Sequence, residues 1–98
     1  LFKKQKIKGL ILIKPEPFID ERGLFRRIYC KKVLKKNNFE VKQANISENK
    51  KNHTLRGFHY QESPYGEDKI ITCIQGKIHN IVIDMRKKSK TFMHEQKN

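Results

Sequence analysis

Ninety-eight residues suit one small domain and leave little room for a second. The apolar share of 36% barely exceeds the charged share of 34%, so any core is thin, and the formal charge is +13. That charge does not by itself mark a nucleic-acid binder: 18 lysines are scattered from Lys3 to Lys97 against only 5 arginines, the residue whose rigid fork reads phosphates and base edges.

Taken in chain order, the start Leu1-Phe2-Lys3-Lys4 lacks the apolar core of a signal peptide. Residues 9–13 form a first candidate strand, and its run Leu10-Ile11-Leu12-Ile13 is too short to cross a membrane. Pro15 and Pro17 break that run, and Gly23 marks the turn before a second strand over 24–30. Residues 31–38 are polar, carry Val33 and Leu34 and end in Asn37-Asn38, which predicts a short surface helix. Further strands are predicted over 41–47, 54–61, 69–75 and 77–85, with a loop at 62–67 around Pro64 and Gly66 and a hairpin turn at Gln75-Gly76. Many short strands with frequent turns point to an all-β protein, an antiparallel sandwich or barrel. Cys30 and Cys73 have no metal-ligand spacing and no secretory context, so a reduced, cytoplasmic protein is expected.

The most informative stretch is Thr54-Leu55-Arg56-Gly57-Phe58-His59-Tyr60-Gln61. As a strand it would show Arg56 and Phe58 on one face and Leu55, Gly57, His59 and Gln61 on the other. Histidine is the side chain suited to proton transfer near neutral pH. Around this stretch lie Phe18-Ile19-Asp20-Glu21-Arg22-Gly23-Leu24-Phe25, Gln43-Ala44-Asn45-Ile46-Ser47, Asp68-Lys69-Ile70-Ile71, Gln75-Gly76-Lys77-Ile78, Val82-Ile83-Asp84-Met85-Arg86 and Ser89-Lys90-Thr91-Phe92. The ordered series, from Ile7 to Phe92, closely resembles the dTDP-4-dehydrorhamnose 3,5-epimerase family of sugar-nucleotide epimerases, which have a cupin (jelly-roll) fold.

The resemblance implies a reaction that inverts two carbons flanking the ketone of a nucleotide-linked 4-keto-6-deoxyhexose, in deoxysugar biosynthesis, with no cofactor. Such chemistry needs a base for the α-proton, a cation or donor for the enolate, and an acid on the opposite face of the sugar. By resemblance His59 is the base and Lys69 the pocket lysine that stabilises oxyanion charge. Arg22 and Arg56 align with arginines that hold the diphosphate, a task for guanidinium forks. Phe25, of the family's Gly-x-Phe motif (here Gly23-Leu24-Phe25), is a substrate-binding residue by the same resemblance, and Gln43 and Asn45 would line the pocket from one strand face. A homodimer is implied, since the family pairs subunits through exchanged N-terminal strands.

Two departures matter. Arg27 stands where the family carries a glutamate, two residues beyond the phenylalanine of the Gly-x-Phe motif. The family's proton-donating tyrosine, and the aspartate that partners its histidine, have no counterpart in these 98 residues. Tyr60, next to His59 on the expected strand, would project from the opposite face. The chain is therefore expected to be the N-terminal part of a cupin-type epimerase domain, a truncated jelly roll over 1–98, without useful epimerase activity; residues 93–98 resemble nothing in the family's following strand. A non-catalytic nucleotide-sugar binding module is one competing reading, and a basic nucleic-acid binder another. A metal-dependent cupin is a third, but His53 and His59 are six residues apart and His79 and His94 fit no ligand spacing, so no metal is expected.

Overall fold

A computed structural model describes residues 2–35 and 38–98. Its regular structure is β with one short helix, in the order β1 (Phe2–Lys4), β2 (Ile11–Ile13), β3 (Phe18–Asp20), β4 (Gly23–Phe25), α1 (Lys31–Leu34), β5 (Ile81–Ile83) and β6 (Glu95–Lys97). The strands pair as three two-stranded antiparallel sheets, β1 with β2, β3 with β4 and β5 with β6. The chain divides into two compact units, one of Leu1–Ile28 with Thr72–Asn98, the other of Tyr29–Ile71.

The first unit holds all six strands. β1 and β2 pair Phe2 with Ile13 and Lys4 with Ile11, and the link between them is tied by Gln5 N–H to the Leu10 carbonyl and Leu10 N–H to the Ile7 carbonyl, both 3.1 Å. Ile7 is buried, and Leu10 and β2 are half-buried beside it in sequence. The β3–β4 hairpin turns on Glu21-Arg22, with Asp20 opposite Gly23. Its turn is locked by the Asp20 carboxylate, which accepts the Arg22 backbone N–H at 2.9 Å, the side-chain-to-backbone bond that favours aspartate in turns.

β5 and β6 extend into a longer ladder through Asn80 and Asn98, which exchange both backbone bonds at 2.8 Å. At the other end Met93 N–H donates to the Asp84 carbonyl at 2.7 Å, and Asp84 N–H to the His94 carbonyl at 3.1 Å. A strand over Glu95–Lys97 was not expected from residues 93–98, which hold no Val, Ile, Thr, Phe, Tyr or Trp; the pairing with Ile81–Ile83 supplies it.

The second unit carries α1, begun at Cys30, whose backbone is extended while its carbonyl accepts N–H from Val33 and Leu34. Leu34 is its buried residue. The expected helix over 31–38 is confirmed only for Lys31–Leu34, and Lys36 and Asn37 lie outside the described residues.

Several expected strands are absent among the described residues. Residues 41–47, 54–61 and 69–75 have no ladder partner; of 24–30 only the first two residues are strand, in Gly23–Phe25, which takes in the expected turn residue Gly23, and 77–85 contracts to Ile81–Ile83. β-propensity describes how a residue fits a paired surface, and without a neighbouring strand to hydrogen-bond it creates none. Gln75-Gly76 bends, with Gly76 at φ +78° and the Cys73 thiol donating to the Gln75 carbonyl at 3.4 Å, but its flanks do not pair as a hairpin.

Candidate functional site

In the second unit the chain folds back between Glu48 and Arg56. Thr54 Oγ1 donates to the Lys51 carbonyl at 2.7 Å, and His53 adopts φ +60° in the tight turn. The reversal returns Arg56 to the segment seven residues earlier: its Nε donates to Asn49 Oδ1 at 2.7 Å and its Nη2 to the Glu48 carbonyl at 3.1 Å. Arg56 is thus an exposed but oriented cation.

Gly57 follows at φ +117°, a backbone that L side chains rarely adopt. The His59 imidazole lies back over it: a Cβ at Gly57 would sit 3.6 Å from both His59 Nδ1 and the His59 backbone nitrogen. Two residues on, Gln61 Nε2 donates to Glu67 Oε1 at 2.7 Å, fastening this segment to the following loop, which Tyr65 N–H to the Glu62 carbonyl closes at 2.8 Å.

A cleft of about 340 Å³ opens in the same unit, with Phe39, Glu40, Gln43, Gly66, Glu67 and Asp68 among its walls. Of the expected pocket residues it takes in Gln43, and Asp68 brings the chain position before Lys69 to its edge; Asn45 and His59 are not in its wall. Lys42 bonds Glu40 at 3.1 Å and holds that carboxyl below its ordinary range. His59, Lys69, Gln43 and Asn45 are all exposed. The strand faces on which Arg56 was expected opposite His59, and Gln43 beside Asn45, are not formed, because neither segment is in a ladder.

Arg22 and Phe25 belong to the first unit. Arg22 closes back on its own turn, Nη2 to Asp20 Oδ2 at 2.6 Å and Nε to the same oxygen at 3.2 Å. The pair keeps the Asp20 carboxyl below and the Arg22 guanidinium above their ordinary values. An anion reaching Arg22 must share it with Asp20. Phe25 stands across the hairpin from Phe18, and both are widely exposed.

The most developed polar cluster is one to which the sequence assigned no role. Asp84 is 3% exposed. Arg86 donates to it from Nε at 2.8 Å, Nη2 at 3.0 Å and its backbone N–H at 3.0 Å. Ser89 Oγ and Thr91 Oγ1 both reach Asp84 Oδ2, at 2.6 and 2.7 Å. With every donor aimed at one carboxylate, first the Arg86 side chain and then the two hydroxyls, the Asp84 carboxyl lies far below the usual range. The cluster closes the loop between β5 and β6. Its residues were visible as Val82-Ile83-Asp84-Met85-Arg86 and Ser89-Lys90-Thr91, and the donors Arg86, Ser89 and Thr91 closely following one aspartate were the available signal.

Among the described residues no three His, Cys, Asp or Glu side chains gather closely enough to hold a metal ion. Nor is any helix among them long and apolar enough to cross a membrane.

Comparison with known proteins adds the following. The family model for dTDP-4-dehydrorhamnose 3,5-epimerase matches residues 4–97. The match runs past Phe92, so the likeness does not stop there as the motifs alone had indicated. The chain is 36% identical over 92 residues to a dTDP-4-dehydrorhamnose 3,5-epimerase of Shigella flexneri, covering 91% of this chain and 50% of that protein. It is 36% identical over 93 residues to the enzyme of the same name from Methanothermobacter thermautotrophicus, covering 93% of this chain and 49% of the relative. The Escherichia coli K12 enzyme of that name is 29% identical over 92 residues, 91% of this chain and 49% of that protein. The chain thus spans about half the length of the curated relatives it matches. No solved structure matches it significantly.

Proposed function

The chain belongs to the dTDP-4-dehydrorhamnose 3,5-epimerase family, and from that premise we propose that it supplies the proton-abstracting side of a sugar-nucleotide 3,5-epimerase. The substrate class is a dTDP-4-keto-6-deoxyhexose, dTDP-4-dehydro-6-deoxy-D-glucose in the first instance, in a cytoplasmic deoxysugar pathway. One observation carries this reading: the family match spans residues 4–97, the range that holds Leu55-Arg56-Gly57-Phe58-His59 and Asp68-Lys69.

In the proposed reaction His59 takes the proton from a carbon beside the C4 ketone. The electron pair moves toward the ketone oxygen, and Lys69 stabilises the charge that develops there. Return of a proton from the opposite face would invert the carbon. Arg56 and Arg22 would take the diphosphate, with Phe25, Gln43 and Asn45 lining the rest of the substrate site. The three strand pairs are read as parts of one jelly-roll domain that includes residues 1–98, and the protein as a homodimer.

The exposure of His59 and Lys69 favours a narrower role for the 98 residues by themselves, binding without useful turnover. Proton abstraction from carbon gains from a site that excludes water, and an exposed lysine loses much of its hold on an oxyanion. Titration with dTDP and with a single-stranded oligonucleotide of equal charge tests the reading. Preference for dTDP that is lost in Arg56→Ala supports it. Equal, steeply salt-dependent binding of both ligands favours a general polyanion binder instead.

A further inference from the structure

Arg56 is held in a specific way. A guanidinium has two useful forks, the side edge formed by Nε–H and one Nη2–H, and the end formed by Nη1–H and the other Nη2–H. Asn49 Oδ1 and the Glu48 carbonyl occupy the side edge, at 2.7 and 3.1 Å. Among the described hydrogen bonds, none engages the end fork, and Arg56 is exposed. The turn that makes this possible is itself fixed by Thr54 Oγ1 on the Lys51 carbonyl. A long, flexible cation has been converted into one with a single presented edge.

We propose that Asn49 is a positioning residue for phosphate recognition: by taking the side edge of Arg56 it presents the end fork to the diphosphate of the nucleotide sugar. The inference rests on the reading of Arg56 as a diphosphate ligand and adds the residue that orients it. Asn49 suits the task because its amide oxygen accepts Nε–H without adding negative charge beside an anionic ligand. Aspartate there would bind Arg56 more tightly and repel the diphosphate.

The test uses the full chain and dTDP as the probe. Asn49→Ala is expected to weaken dTDP binding about three- to ten-fold, the range set by having to order one rotamer-rich side chain on binding. Asn49→Asp is expected to weaken it at least as much, and Asn49→Gln to restore part of the loss. In an Arg56→Ala background Asn49→Ala is expected to have no further effect, the non-additivity of residues that act as a unit. In parallel, the Arg56 Nε–H resonance is expected to be sharp and protected in the wild type and to collapse to solvent-averaged behaviour in Asn49→Ala, a signature that loss of loop stability alone, monitored by the Thr54 amide, does not produce. If Arg56→Ala abolishes dTDP binding but Asn49→Ala leaves it unchanged, the positioning role is wrong and the diphosphate reading stands. If the wild type does not prefer dTDP, or Arg56→Ala changes nothing, the diphosphate reading fails and the role of Asn49 fails with it.

Discussion

Asp84 and Arg86, two residues apart, form a bidentate pair, Nε to Oδ1 at 2.8 Å and Nη2 to Oδ2 at 3.0 Å, with the aspartate buried and the arginine half-exposed. Ser89 and Thr91 complete the set of donors on the same carboxylate. This arrangement fixes the loop that returns the chain from β5 to β6.

Asp84→Asn should therefore destabilise the first unit. An amide presents one acceptor and one donor group where four side-chain donor contacts now converge on two acceptor oxygens, so buried donors face a donor. The loss should exceed that of Glu40→Gln, whose partner Lys42 lies on an exposed pair of the kind that contributes little. Urea unfolding of the two variants beside the wild type measures the order. Arg86→Lys should also be harmful, because an ammonium cannot reproduce the fork.

The same cluster sets a pH dependence. Because the folded Asp84 carboxyl is held far below its ordinary value of 3.8, it binds a proton less readily folded than unfolded. Its contribution to stability is complete above about pH 4 and declines as the pH falls below that range, since the unfolded state then takes up protons first. The urea midpoint should fall from about pH 4 downward, and the difference between wild type and Asp84→Asn should shrink over the same interval. A constant difference would contradict the role given to the charge.

Gly57→Ala should displace His59 as well as cost stability. The space for a Cβ is adequate, at 3.6 Å from His59 Nδ1, so the penalty comes from φ +117°. A backbone strain of about 1–3 kcal/mol is expected, relieved by rotation of the peptide that carries the imidazole. The His59 ring resonances should shift while those of Arg86 do not.

How far the sequence could be read differs from residue to residue. Arg22, Arg56, His59 and Lys69 stood out as candidates because their neighbours form ordered motifs. What Arg22 and Arg56 touch was not, since Asp20 and Asn49 come to them through turn geometry that propensity does not describe. Asp84 looked like one acid in a β-rich run, and only the loop closure makes it a hub. The runs at 41–47 and 54–61 suggested strands by composition, but a strand is completed by its partner, and these segments have none among the described residues. Glu95–Lys97 shows the converse, a polar segment made into a strand by the Ile81–Ile83 edge.

The β3–β4 hairpin carries apolar pairs on both faces, Phe18 with Phe25 and Ile19 with Leu24, and Phe18 is 78% exposed. Such a surface is expected to self-associate. Light scattering should give a dimer at micromolar concentration, and Phe18→Asp should shift it to monomer without changing the circular-dichroism spectrum. A monodisperse wild-type monomer would remove the dimer from the proposal.

The most direct measurement concerns His59 itself. The chain is incubated in D₂O with dTDP-4-dehydro-6-deoxy-D-glucose, and deuterium at the carbons beside the ketone is followed by mass spectrometry, with the products then reduced and separated. The expected result is slow exchange with little inversion, reduced about 10²- to 10⁴-fold by His59→Ala, the range for removing one general base. Exchange that continues undiminished in His59→Ala would contradict the assignment of His59 as the base.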